Sequence, residues 1–423
     1  PSPLSGKLIG SLPMDPPPRS MLSLSTNRKN LESLTLAQLL IVTDIEGGIH
    51  ALNRQNGELL WSINNTNFPP LIKVTEPLHM ANETLIVEPY GDGNLYYFST
   101  YQGLQKLPVS IKQLINASPL DLKTHIVADG SGTIVEDEKI YTGSRKSAVY
   151  TIDALTGEII SAYGPGTENR SYKQSGANCT KTFQAEGCEN VLVIGKTIYE
   201  LSIHSKEGTI YNVTYATWQH NSVDNHLAIQ NDNSQDGIYI APFRDKSLLA
   251  IDSDFRIAKW VSLHFPGIIN NVFDIFLDHK TSEKILLPHP LKAVDDFDEE
   301  IRVYLDQTEN RSWFAMSSDY FPSLVDSAPT SKYSLSERWR VSTIFDNEEL
   351  FKTAVTGVHS LHDLQFEEFF VNGEQYDSLS ESNRLLLDSS PEEQLVKDSN
   401  KADRFSSNAL EKYVSPEDVF AYK

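Results

Sequence analysis

Apolar positions along this chain come in short runs with a period of two, broken by tight turns, and that rhythm predicts strands rather than helices. The run from Leu36, "LAQLLIVTDIEGGIHAL", continues through Asn56-Gly57 into "ELLWSI": two apolar stretches around a Gly-Gly pair, then a third closed by Trp61. The layout recurs from Thr84 ("TLIVEPYGDGNLYYFSTYQGLQKL"), Lys139 ("KIYTGSRKSAVYTIDALTGEIISAYG"), Val191 ("VLVIGKTIYELSIHSKEGTIYNVTYATW") and Gly237 ("GIYIAPFRDKSLLAIDSDFRIAKWVSL"). Each copy predicts strand, tight turn, strand, polar turn, strand, and a spacing of about fifty residues falls in the range of propeller blades. Gly57, Gly103, Gly157 and Gly208 mark the second turn of four copies, and the fifth has Asp254 instead. Glycine there supplies the positive φ that a hairpin turn needs. Trp61, Trp218 and Trp260 lie near the ends of third strands, where a large ring can cover the edge of the next sheet. The expected fold is mainly β, a cluster of antiparallel sheets built from degenerate propeller-like repeats with a few helices.

Two helices are predicted. "SIKQLINAS" from Ser110 is short and amphipathic, and Asp346 with Glu349 makes a capping-box-like start for a helix through about Val358. Residues 1–33 open with six prolines in the first eighteen positions and predict a disordered lead-in. Residues 34–362 form the expected core domain. Residues 363–423 carry fourteen Asp/Glu against six Lys/Arg from Asp363 onward and predict an acidic, disordered linker.

Charge narrows the partners. A formal net charge of −21 over 423 residues argues against nucleic acid, which needs a basic stripe, and against an anionic membrane surface. No apolar run reaches the roughly 18 residues that span a bilayer, and the chain opens on Pro1 without Met, so any anchor is expected outside this segment. The two cysteines, Cys179 and Cys188, fit a short-loop disulfide in an oxidising compartment or two free thiols in the cytosol. Glycosylation triplets at Asn64, Asn82, Asn169, Asn178, Asn212 and Asn310 favour the secretory pathway; a seventh, at Asn116, is weakened by Pro119.

Catalytic constellations are missing from the sequence. "DGSGT" at Asp129 lies between strands and is a turn, neither G-x-S-x-G nor H-E-x-x-H occurs, and kinase signatures are absent. His359 and His362 stand at helical spacing without a third ligand, so surface histidines are expected. The acidic run "AVDDFDEEIR" from Ala293 lacks the glycine and ligand order of a calcium loop and reads as solvated. No catalytic residue, metal or cofactor is expected.

"HALNRQNGELLW" and "TIDALTGEII" resemble the pyrroloquinoline-quinone type of propeller blade, a class holding quinone-dependent dehydrogenases and non-enzymatic scaffolds. Five loose copies are too few for the dehydrogenase, which remains the alternative with a propeller scaffold. A more specific match lies in "GLQKLPVSIKQLINASPL", "IVEDEKIYTGS", "CENVLVIGKTIYELSIHS", "YNVTYATWQ", "IAPFRDKSLLAID", "VYLDQT" and "ERWRVSTIF". In this order they resemble the lumenal domain of the fungal inositol-requiring sensor of the unfolded-protein response. The resemblance implies an endoplasmic reticulum location, as the lumenal part of a single-pass type I membrane protein whose full length adds a serine/threonine kinase and an endoribonuclease. It implies homodimers and higher oligomers, unfolded polypeptides and a lumenal BiP-type chaperone as partners, and a peptide groove spanning the dimer. Its groove positions land on Arg145, Tyr199 and Tyr215, its dimer interface on Thr142 and Tyr163, and its oligomer interface on Trp339. The fungal pattern has Met where this chain has Arg145, and Met suits a promiscuous site through its flexible, polarizable side chain. An acidic domain with tyrosine-rich strands suits weak binding of the apolar and basic segments that unfolded chains expose.

Overall fold

The strands form where the period-two runs lie and associate into four sheets. The computed structural model describes residues 29–361, apart from 65–67, 76–82, 100–102, 129–132, 166, 168–189, 207, 209, 221–225, 292–300, 341–343 and 345. Of the described residues, strand accounts for 53% and helix for 14%, in a propeller-like ring of small sheets.

The first sheet holds β1 (Thr35–Asp44), β2 (Ile49–Asn53) and β3 (Leu59–Ile63), extended by β16 (Ile269–Asp278) and β17 (Glu283–Pro288). The second joins β5 (Glu83–Val87), β6 (Asn94–Ser99) and β7 (Gly103–Ser110) to β18 (Arg302–Gln307), β19 (Trp313–Ser317) and β20 (Gly357–Ser360). The third runs in the order β10 (Ile159–Tyr163), β9 (Thr133–Asp153), β11 (Val191–Ser205), β12 (Ile210–His220), β4 (Ile72–Thr75), with β8 (Leu120–Ala128) also on β9. The fourth is β13 (Ile238–Pro242), β14 (Leu248–Asp252) and β15 (Ile257–Val261). Among the described residues five short helices fill the joints: α1 (Ile111–Ala117), α2 (His226–Gln230), α3 (Pro322–Ser327), α4 (Lys332–Leu335) and α5 (Glu348–Val355).

The first, second and fifth copies of the repeat are the expected three-stranded units. The third and fourth are not. The first tight turn expected in each does not form; β9 and β11 run straight through Gly143 and Gly195 and pair continuously from Lys139↔Ser205 to Asp153↔Val191. A glycine within a strand satisfies the ladder as well as any residue, and here long-range pairing overrides local punctuation.

The repeat's turn glycines explain how the sheets lock together. Gly57 (φ +72°) and Gly157 (φ +74°) each close a hairpin turn, and a Cβ on either would sit 2.4 Å and 2.5 Å from the ring of Trp260 and Trp61 respectively. Each indole also donates to the neighbouring turn, Trp61 Nε1 to Ala154 O at 2.8 Å and Trp260 Nε1 to Arg54 O at 2.9 Å. The tryptophan of the first unit therefore rests on the turn of the third, and that of the fifth on the turn of the first, and only glycine leaves room. The fifth copy makes its turn with Arg256 at positive φ, while the Asp252 carboxylate accepts from the amides of Asp254 and Phe255.

Charge is buried at one junction. Arg54, 1% exposed, donates to Asp236 and Asp274, and His289 Nδ1 lies 3.0 Å from Asp274. Burial alone would push the Asp274 carboxyl up; His289 and then Arg54 outweigh it and hold the group below the usual carboxylate range.

Local expectations met mixed outcomes. α1 forms with a full capping box, Ser110 accepting from the Gln113 amide. α5 is capped by Asn347 rather than Asp346, because Asn347 Oδ1 accepts from the amides of Glu349 and Leu350, and it stops at Val355. His359 consequently lies in β20, buried and bonded to Val355 O, instead of on a helix surface; His362 and most of the acidic run at 293–302 lie outside the described residues. The expected lead-in also lies outside them, except that Leu31–Ser33 forms a 3-10 turn and buries Leu31.

Candidate functional site

The third sheet positions nearly every residue singled out from the sequence. Its strands are long enough to be buried on different faces at their two ends. At one end Tyr199, Leu201, Ile203, Val213, Tyr215 and Ile72 pack with Ile111, Leu114 and Ile115 of α1. At the other end the opposite face, through Tyr150, Ile152, Leu192, Ile194 and Trp218, packs on the first sheet. Between these ends, residues 143–147 of β9 are exposed.

β9 also has an open edge. On the side away from β11 it is paired with β8 through Tyr141↔Leu120 and with β10 from Val149↔Tyr163 onward. Among the described residues no strand covers that side from 142 to 148, although Ser118 Oγ accepts from the Gly143 amide at 2.9 Å and Gly164 sits against Ser147 O, which leaves the backbone of Arg145 as the open centre. Unpaired edges of this kind template pairing with another chain unless they are blunted. The edge was not legible in the sequence, since it exists only because β8 and β10 stop short of each other.

Thr142 and Tyr163 bracket this edge. Thr142 Oγ1 lies 3.1 Å from His204 Nε2, and Tyr163, the last residue of β10, is 51% exposed. Arg145, at the midpoint, is exposed and pairs directly with Tyr199, which pairs with Tyr215, so the three point to the same face.

Tyr199 and Tyr215 are not surface residues of the single chain. They are 2% and 0% exposed, their rings stack at 5.9 Å, and Tyr215 Oη donates to Gly91 O at 3.0 Å. Burial pushes both phenols up, and the Arg145 guanidinium works the other way on Tyr199. Strand alternation placed both on one face; that α1 would cover this face followed only from the fold. Beside them Lys112 and Asp92 pair at 2.9 Å.

Trp339 lies elsewhere, at the end of a 3-10 turn over Glu337–Trp339. It is half-buried against the core beneath the second sheet, with Lys332 Nζ 5.2 Å above its ring and Arg338 and Arg340 exposed on either side. Asn64 and Asn212 are exposed, whereas Asn310 is tied in, its Nδ2 donating to Ile72 O and its Oδ1 accepting from the Ser312 amide. Cys179, Cys188, Asn82, Asn169 and Asn178 lie outside the described residues. Among the described residues there is no cluster of metal-ligating side chains and no helix long and apolar enough to cross a membrane.

No family model matches the chain. It is 26% identical over 372 residues to the serine/threonine-protein kinase/endoribonuclease ireA of Aspergillus fumigatus, covering 79% of this chain and 30% of that protein. It is 24% identical over 387 residues to the sensor for unfolded proteins in the ER, ire1, of Schizosaccharomyces pombe, covering 71% of this chain and 34% of that protein. The chain thus spans about a third of the length of these curated relatives. Among solved structures, it superposes on the compact lumenal domain of yeast Ire1 with a TM-score of 0.68 and 54% identity, over 79% of this chain and 100% of that one. Identity of that order along the whole of a solved domain, with the same mainly β architecture, means that the chain belongs to the Ire1 lumenal-domain family.

Proposed function

We propose that this chain is the sensing segment of an unfolded-protein-response receptor in the endoplasmic reticulum lumen. It binds unfolded segments in a groove shared by two copies and self-associates, and the full-length protein carries a membrane anchor, a kinase and an endoribonuclease. Residues 34–362 are the sensing core and 363–423 the linker toward the membrane; a lumenal BiP-type chaperone is the expected antagonist.

One observation carries this proposal: Thr142 and Tyr163 stand at the two ends of the open edge of β9. Antiparallel two-fold pairing along residues 142–148 sets position 142 of one copy against 148 of the other. Thr142 then abuts the strand end at Tyr163 of the second copy. The sheet becomes continuous across the axis, α1 of each copy stands above it as a wall, and Tyr199 and Tyr215 lie on that same face, packed against α1. Because each copy supplies half of the groove, peptide binding and association are coupled: a ligand that prefers the dimer shifts the population toward it. Trp339, remote from this edge, serves larger assemblies.

Sedimentation velocity with and without an unfolded polypeptide tests this. The peptide is expected to shift the chain toward dimer, and Tyr163→Ala to weaken both association and peptide binding. A monomer indifferent to peptide, or a Tyr163→Ala chain that assembles normally, contradicts it.

A further inference from the structure

We propose that the centre of this groove is a carboxylate clamp formed by Arg145 of two copies, so that the unfolded segments preferred there carry Asp or Glu. This rests on the shared groove proposed above and names its ligand. Arg145 is the midpoint of the open edge, three residues from either end, so two-fold antiparallel pairing sets it directly opposite its own copy. Directly opposed residues have Cβ atoms about 5 Å apart, and like charges so placed repel. Among the described residues nothing relieves this. Glu200 points to the opposite face, where Lys146 at 2.8 Å and Ser144 at 3.1 Å engage it. Asp92 is held by Lys112, and among the described residues Arg145 has no carboxylate partner.

A ligand carboxylate between the two guanidiniums removes the repulsion and gains charge-assisted, fork-like hydrogen bonds from both. The chain's net charge of −21 pulls the other way, toward basic segments. That field is spread over the surface and screened within about 8 Å at physiological salt, whereas the clamp acts in contact, so the clamp decides the preference. The same face continues into a buried tyrosine pair flanked by the mutually paired Lys112 and Asp92, which leaves Arg145 as the central charged group.

The test uses the whole chain and two labelled unfolded peptides matched in length and apolar content, one acidic and one basic. Anisotropy and sedimentation are read together. The acidic peptide is expected to bind about tenfold more tightly and to drive dimerisation, an advantage that shrinks as salt rises. Arg145→Met abolishes the preference while the basic peptide still binds, and Arg145→Lys keeps its sign but reduces it. If the basic peptide binds as well as the acidic one to the unaltered chain, or the preference survives Arg145→Met, the clamp is wrong and the groove stands. If neither peptide binds or shifts association, the groove fails and the clamp with it.

Discussion

Replacing Gly157 by Ala tests whether the tryptophan-on-turn contact holds the sheets together. Two effects add. At φ +74° a Cβ carries the left-handed penalty, about 1 kcal/mol. That Cβ would also sit 2.5 Å from the Trp61 ring, whose indole is pinned by its bond to Ala154 O, so either the turn or the ring must move. Overpacking of this kind costs about 1–3 kcal/mol, for a total of about 2–4 kcal/mol. Gly91 supplies the control: its φ is +58°, and a Cβ there meets nothing within 4 Å, so Gly91→Ala should cost only the backbone part. Urea unfolding of both variants measures the difference. In a Trp61→Ala background the cost of Gly157→Ala should fall to that of Gly91→Ala, because the colliding ring is gone. Equal destabilisation by the two glycine substitutions, or no relief in the double variant, would refute the contact as the reason for the glycine.

Burial holds the His359 imidazole down to about 4, against its bond to Val355 O. The unfolded chain binds this proton first, so stability should be complete above pH 6.5 and fall as pH drops toward 4. The loss is about 3 kcal/mol, absent in His359→Phe, as read by unfolding at stepped pH. Asn310→Ala should cost about 1–2 kcal/mol, since Ile72 O loses the Asn310 donor and the Ser312 amide keeps only Thr308 Oγ1 of its two acceptors, while Asn64→Gln should be neutral; melting curves distinguish them. Tyr215→Ala, which empties a fully buried site, should cost about 3–5 kcal/mol and lower soluble yield, so loss of peptide binding in that variant does not isolate a groove contact. Trp339→Ala should leave dimers and remove larger assemblies in sedimentation runs.

The alternation of apolar residues was enough to place the first, second and fifth units, because in each the turn chemistry and the period agree. Asn56-Gly57 and Thr156-Gly157 even marked the turns on which tryptophans rest, although which ring meets which turn depends on the order of sheets around the ring. The third and fourth units misled for a physical reason. Gly143 and Gly195 look like turn residues, but both sit inside the long β9–β11 ladder, where the Gly143 amide donates to Ser118 Oγ, and no local rule weighs a long-range ladder. Likewise Asp346 and Asn347 are both good caps, and only the path of the chain into α5 selects the second. Arg145, Tyr199 and Tyr215 share a face as strand parity requires; which of them meets solvent was decided by α1. The buried Arg54 gave no signal at all, since Asp236 and Asp274, the latter bonded in turn to His289, reach it from strands and loops far along the chain.

Cross-linking at the proposed axis tests the shared edge most directly. With Cys179 and Cys188 replaced by Ser, Arg145→Cys puts a thiol where two-fold antiparallel pairing sets it opposite its own copy, with Cα atoms about 5 Å apart, within disulfide reach. Non-reducing electrophoresis after mild oxidation should show a covalent dimer with Arg145→Cys and only monomer with Lys259→Cys, an exposed residue of β15 in the fourth sheet. No dimer at position 145, or equal cross-linking at both positions, would contradict association through the open edge of β9.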